Sequence, residues 1–138
     1  VSEVPLAQAL VVCDTVIEDK GSGKTSLIGI FNGITSGAFP VQINEICVYA
    51  ALTNGHGLSE ITLRCVRLND DLETLRKIGS ITFRDPNTVV ELVFRLRGVP
   101  FPAPGLYAFE LLCEGQLLLE KRFNVQQVDP RPAKNPLP

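Results

Sequence analysis

Apolar and polar residues alternate along much of this chain, and a period of two predicts strands. In Val89–Arg97, Val90, Leu92, Phe94 and Leu96 fall on one side, and Glu91, Arg95 and Arg97 on the other. In Glu60–Leu68, Ile61, Leu63 and Cys65 oppose Glu60, Thr62 and Arg64. Such strands bury one face and leave charges on the other to pair across neighbours. Near the C-terminus Tyr107, Phe109 and Leu111 share a face, as do Phe123 and Val125. Glu114-Gly115 between them predicts a tight hairpin. Further runs at Gln8–Glu18, Ser26–Ile34, Glu45–Thr53 and Leu75–Phe83 are separated by Gly-, Asn- and Asp-rich turns. The stretch Gly98–Gly105 carries three prolines and predicts an extended loop, because proline cannot donate to a ladder. Asn69–Gly79 admits a short helix capped by Asn69, with Leu72, Leu75 and Ile78 on one face. The lengths of the flanking runs favour a hairpin instead. About seven to nine short strands with Gly/Pro turns indicate an all-β, antiparallel β-sandwich.

The early strands break the alternation. Leu10, Val12 and Val16 oppose Val11, Cys13 and Ile17. Leu27 and Phe31 oppose Ile28 and Ile30, and Ile46, Val48 and Leu52 oppose Cys47, Tyr49 and Ala51. A solvated outer face would be polar at every second position. Something is therefore expected to cover this one: a partner subunit, or loops of the domain itself. A few such side chains, at about 1.5–3 kcal/mol each when fully buried, suffice to hold a partner.

Composition narrows the classes. The chain has 138 residues, which suits one β-sandwich domain over residues 1–128 followed by a Pro-rich tail at 129–138. The tail on its own is expected to be extended. The net charge of -2 supplies no basic field for nucleic acid or anionic lipid, and the apolar runs are too short to span a bilayer, so neither partner is expected. No secretory signal is evident in residues 1–12, and Leu10-Val11-Val12-Cys13 matches a lipoprotein box only loosely, because Val12 is not small. The cysteines Cys13, Cys47, Cys65 and Cys113 form no CxxC and each sits in an apolar run. Free buried thiols in a reducing, cytoplasmic compartment are the expectation, with an inter-sheet Cys47–Cys113 disulfide as the alternative.

Several motifs invite chemistry and are outweighed. Gly21-Ser22-Gly23-Lys24-Thr25 resembles the end of a P-loop, but the first required glycine is replaced by Glu18 and a β-rich run follows in place of a helix. A hairpin turn is expected. His56, the one histidine, sits in the turn Asn54-Gly55-His56-Gly57 and reads as solvated. Asp70, Asp71 and Glu73, with Asp85 or Asn87, form a conceivable calcium set, but their spacing matches no EF-hand and a turn or helix cap explains them. With no Trp and two Tyr, the chain lacks aromatic platforms for sugars. No catalytic, cofactor-binding or metal-binding residue is assigned, and no cofactor is expected.

The run Gly105-Leu106-Tyr107-Ala108-Phe109 resembles the tyrosine corner that opens strand F of immunoglobulin-like sandwiches. The resemblance implies an immunoglobulin-like arrangement in which the Tyr107 hydroxyl bonds backbone near residues 102–105. A disulfide cysteine would stand where Phe109 stands, which argues for free thiols. The whole chain is also similar to a family of uncharacterised bacterial proteins of this length. The likeness is carried by Val12-Cys13-Asp14 with Val16–Asp19, by Gly23-Lys24 with Ser26–Phe31, by Phe39-Pro40, by Pro100-Phe101-Pro102 with Pro104-Gly105, Tyr107 and Phe109, and by Phe123 with Val125. It implies a bacterial sandwich and transfers no functional residue. The expectation is a non-enzymatic interaction or structural subunit that binds a protein partner or a second copy through its apolar early sheet and its tail. A small-ligand module is the alternative, ahead of an enzyme.

Overall fold

A computed structural model describes residues 4–128, so the tail at 129–138 lies outside the described residues. Among these residues there are nine strands and no helix. They are β1 (Leu6–Glu18), β2 (Thr25–Ile30), β3 (Gly33–Ser36), β4 (Val41–Thr53), β5 (Gly57–Arg67), β6 (Leu72–Phe83), β7 (Val90–Phe101), β8 (Gly105–Cys113) and β9 (Gln116–Gln127). One sheet has the order β2-β1-β4-β7 and the other β3-β9-β8-β5-β6. All pairings are antiparallel except β3 on β9. The fold is a β-sandwich.

The core lies between the sheets and is built from the alternating positions. Leu10 and Val12 come from β1, Ile46, Val48, Ala50 and Leu52 from β4, and Ile61, Leu63 and Cys65 from β5. Aromatic rings fill one end. Phe101 meets Tyr107 edge-on at 5.1 Å, and Phe123 stacks on Phe109 at 5.3 Å. Tyr107 is fully buried, and its hydroxyl donates to the Ala103 carbonyl at 2.6 Å. The β8–β9 turn is as tight as Glu114-Gly115 predicts, with both residues at positive φ. Asn69–Asp71 forms a turn between β5 and β6, so the hairpin reading holds and the helix does not.

Two expectations fail, each for a local reason. Ser26–Ile34 is not one strand. It divides into β2 and β3, which lie in different sheets, and Phe31-Asn32 carries the chain across. Residues 98–101 are not loop, because β7 runs on to Phe101 and pairs with β4 as far as Val41. The pairing skips Asn44 and Gly98, and Gly98 takes φ +61°, a conformation cheap only for glycine. There both strands exchange faces. Ile46 and Leu96 face the core at even positions, while Val41, Ile43, Val99 and Phe101 face it at odd ones. Pro100 is tolerated because β7 is an edge strand.

Candidate functional site

The outer face of the four-stranded sheet is the part of the molecule that the sequence marks as unusual. Cross-strand partners share a face, and the register defines three rows over β1, β4 and β7. They are Ala9–Ala51–Glu91, Val11–Tyr49–Val93 and Cys13–Cys47–Arg95. Cys13 and Cys47 are completely buried although they point away from the core.

The cover is the chain's own hairpin β1–β2. β1 pairs with β4 only as far as Cys13, and beyond that residue it pairs with β2 alone. The pairing with β2 skips Asp14 and Gly29, and Gly29 takes φ +73°. A Cβ at Gly29 would collide with the Asp14 carboxylate, so the bend requires glycine. Past it, the hairpin folds over the sheet. Val16 and Leu27 close on Cys13, Cys47 and Tyr49. Val16 thus joins the face of Cys13, where strict alternation had placed it opposite. Arg95 Nη2 donates to the Val16 carbonyl at 3.0 Å, and Arg95 Nη1 lies 3.8 Å from Cys47 Sγ. Thr25 Oγ1 donates to Glu91 Oε1 at 3.0 Å, and the Tyr49 hydroxyl donates to Glu91 Oε2. Partial burial, together with this carboxylate neighbour, pushes the Tyr49 phenol up to about 12. Burial also pushes the Cys13 thiol up, and the neighbouring Cys47 and Asp14 add to it.

The other side of the hairpin is apolar too. Ile17 stands opposite Ser26, and Ile28 opposite Thr15. Ile17 and Ile28 are 50% and 46% exposed there, while Ile30, the register partner of Cys13, is 60% exposed on the face of that cysteine. β2 is a sheet edge, and its sequence Thr-Ser-Leu-Ile-Gly-Ile carries no charge. The two long edges carry charge, β6 with Arg76 and Lys77 and β7 with Glu91, Arg95 and Arg97.

The remaining motifs lie in or beside turns. Residues 19–24 form the β1–β2 turn, in which the Asp19 carboxylate accepts from the Gly21 N–H at 3.1 Å and the Ser22 hydroxyl at 2.7 Å. These bonds hold Asp19 below its usual carboxylate range. Thr25 opens a strand. His56 is exposed in the β4–β5 turn. The acidic cluster faces arginines. Asp70 takes two bonds from Arg67, at 3.0 and 2.6 Å, and Glu73 pairs with Arg76 and Arg64. Among the described residues no cluster of three or more His, Cys, Asp or Glu is placed to hold a metal. All four cysteines are buried and free. The Cys47–Cys113 alternative fails because Cys113 lies in the core and Cys47 on the opposite face of its sheet. No described helix is long and apolar enough to cross a membrane. An apolar groove of about 470 Å³ opens at one end of the sandwich between Pro40, Leu72, Pro100 and Pro102.

Sequence reasoning missed Arg95, Glu91 and Thr25 as members of the outer-face cluster. Alternation sets Glu91 and Arg95 on the outward face, but their contacts join strands far apart in the chain, which no local pattern signals.

Among solved structures, the chain resembles part of the alkylpurine DNA glycosylase AlkC of Pseudomonas fluorescens, which is bound to DNA containing an abasic site analog. The identity is 12% and the TM-score 0.44, over 68% of this chain and 27% of the glycosylase. It also resembles part of a family 2 glycosyl hydrolase from Bacteroides cellulosilyticus, with 18% identity and a TM-score of 0.43, over 73% of this chain and 17% of the hydrolase. This chain thus spans less than a third of either protein. No curated protein matches its sequence. The profile of one family of unknown function does match, from residue 8 in β1 to residue 126 in β9, and so takes in both sheets and the covered outer face; the chain belongs to that family, DUF6941.

Proposed function

We propose that this protein is a non-enzymatic interaction or structural subunit, and that it docks a protein partner or a second copy through hairpin β1–β2. The observation that carries the reading is the exposed apolar pair Ile17 and Ile28 on the outward side of the hairpin, at an uncharged edge strand. Proteins usually blunt such edges with charge, proline or a cover. An edge of this kind accepts an added strand, and its side-chain pockets give specificity. Because the hairpin already covers Cys13 and Cys47, the docking surface is its outward side and not the sheet beneath. The Pro-rich tail at 129–138 is a second contact on this reading.

The immunoglobulin-like reading has its support in the strand order. β1, β4 and β7 follow the sequence A, B and E, and β5, β8 and β9 follow C, F and G, with Tyr107 near the start of F. The four free thiols suit a bacterial, cytoplasmic protein. A small-ligand module is the second reading, favoured by the apolar groove at Pro40, Leu72, Pro100 and Pro102.

Light scattering at micromolar concentration tests the docking surface. The wild-type chain should exceed monomer mass alone or with its partner, and Ile17→Ser with Ile28→Ser should return it to monomer. Unchanged association in that double variant would move the interface elsewhere. A shortened chain ending at Val128 would assign the tail's share.

A further inference from the structure

We propose that Cys13 and Cys47 are a redox pair, oxidised by a hydroperoxide to a cross-strand disulfide when hairpin β1–β2 lifts from the sheet. The two residues are direct partners across antiparallel β1 and β4. Directly opposed residues have Cα atoms about 4.5–5.5 Å apart. That lies within the roughly 4.4–6.8 Å span of a disulfide. They share the outer face, and together with Val16 they form a cluster apart from the main core. Cys65 and Cys113 have no cysteine opposite them, since Cys65 faces Phe109 and Cys113 faces Ile61.

The lid over the pair is built to move. It hinges at Asp14 and Gly29, where pairing is interrupted. Its apolar grip on the pair comes from Val16 and Leu27. The rest is polar and lies at the rim: Thr25 to Glu91, and Arg95 to the Val16 carbonyl. Elements with few buried contacts open at far lower cost than the whole fold.

The chemistry assigns different roles to the two sulfurs. Arg95 Nη1 lies 3.8 Å from Cys47 Sγ, so negative charge on that sulfur has a cation beside it. Cys47 Sγ attacks one peroxide oxygen, the O–O bond breaks, and the departing hydroxide takes a proton to leave as water. Cys47 is then a sulfenic acid. Cys13 Sγ attacks the Cys47 sulfur, the S–S bond forms, and the second hydroxide leaves with the Cys13 proton as water. Two thiols lose two electrons and two protons, and one hydrogen peroxide becomes two waters.

The test treats the full chain with hydrogen peroxide, alkylates remaining thiols in denaturant, and maps the digest by mass. Two of the four thiols should be lost, in a single Cys13–Cys47 link. Thr25→Val removes the side-chain bond from the lid to the Glu91 carboxylate and should speed oxidation about tenfold. Cys13→Ser should accumulate a dimedone-trapped sulfenic acid at Cys47. Cys47→Ser should not do so at Cys13. The proposal is overturned if all four thiols survive in the wild type and in Thr25→Val while free cysteine is consumed. It is overturned equally if another pair links, or if Thr25→Val reacts no faster than the wild type.

Discussion

Tyr107 packs its ring against Phe101 and Phe123 and directs its hydroxyl to the Ala103 carbonyl. Phenylalanine keeps the ring contacts and removes only that bond. Tyr107→Phe should therefore cost on the order of 1 kcal/mol in urea unfolding, the usual worth of one hydrogen bond. A substitution that leaves the midpoint unchanged would mean the bond contributes nothing in solution. At this scale the sequence was informative wherever a side chain acts through its own strand. The inward positions of Val90, Leu92, Phe94 and Leu96 could be read directly, as could those of Tyr107, Phe109 and Leu111. So could the outward charges, since Arg64 meets its register partner Glu110 at 2.6 Å.

At the scale of elements, what escaped was backbone conformation. Gly29 and Gly98 both look like ordinary strand glycines in sequence. Each takes positive φ and changes which face its strand presents, and no residue pattern announces that in advance. The division of Ser26–Ile34 into β2 and β3 escaped similarly, because two short strands of one apolar run belong to different sheets. The apolar early faces were legible, but their cover was not, since it depends on a bend at Asp14 and Gly29. The turn at 19–24 was legible through its missing glycine. Its Gly21 N–H and Ser22 hydroxyl are engaged by the Asp19 carboxylate, whose charge also opposes a phosphate. Calorimetric titration with ATP or GTP and magnesium should give no saturable heat, and Lys24→Ala should leave the trace unchanged. Saturable binding lost in that variant would show a nucleotide site after all.

Across the whole molecule, the pairings are mostly distant in sequence. Gly33 pairs with Asn124, and Val41 with Phe101. All-β domains of this kind must close large loops before contacts repay the entropy, and they fold in about milliseconds to seconds. Stopped-flow refolding from urea should fall in that range. A microsecond phase carrying the full amplitude would contradict the non-local topology.

The position of β9 has a further consequence. It lies between β3 and β8, inside its sheet and not at the edge, yet it is the last of the nine strands in the chain. On the ribosome, every other strand emerges before the one that joins β3 to the rest. Until residue 127 clears the exit tunnel, β3 has no neighbour and β8 presents an unpaired edge beside an incomplete core. The nascent chain thus waits with Tyr107 and Phe109 bare of Phe123. That interval, rather than the finished sandwich, is when a holdase chaperone would find the most to bind.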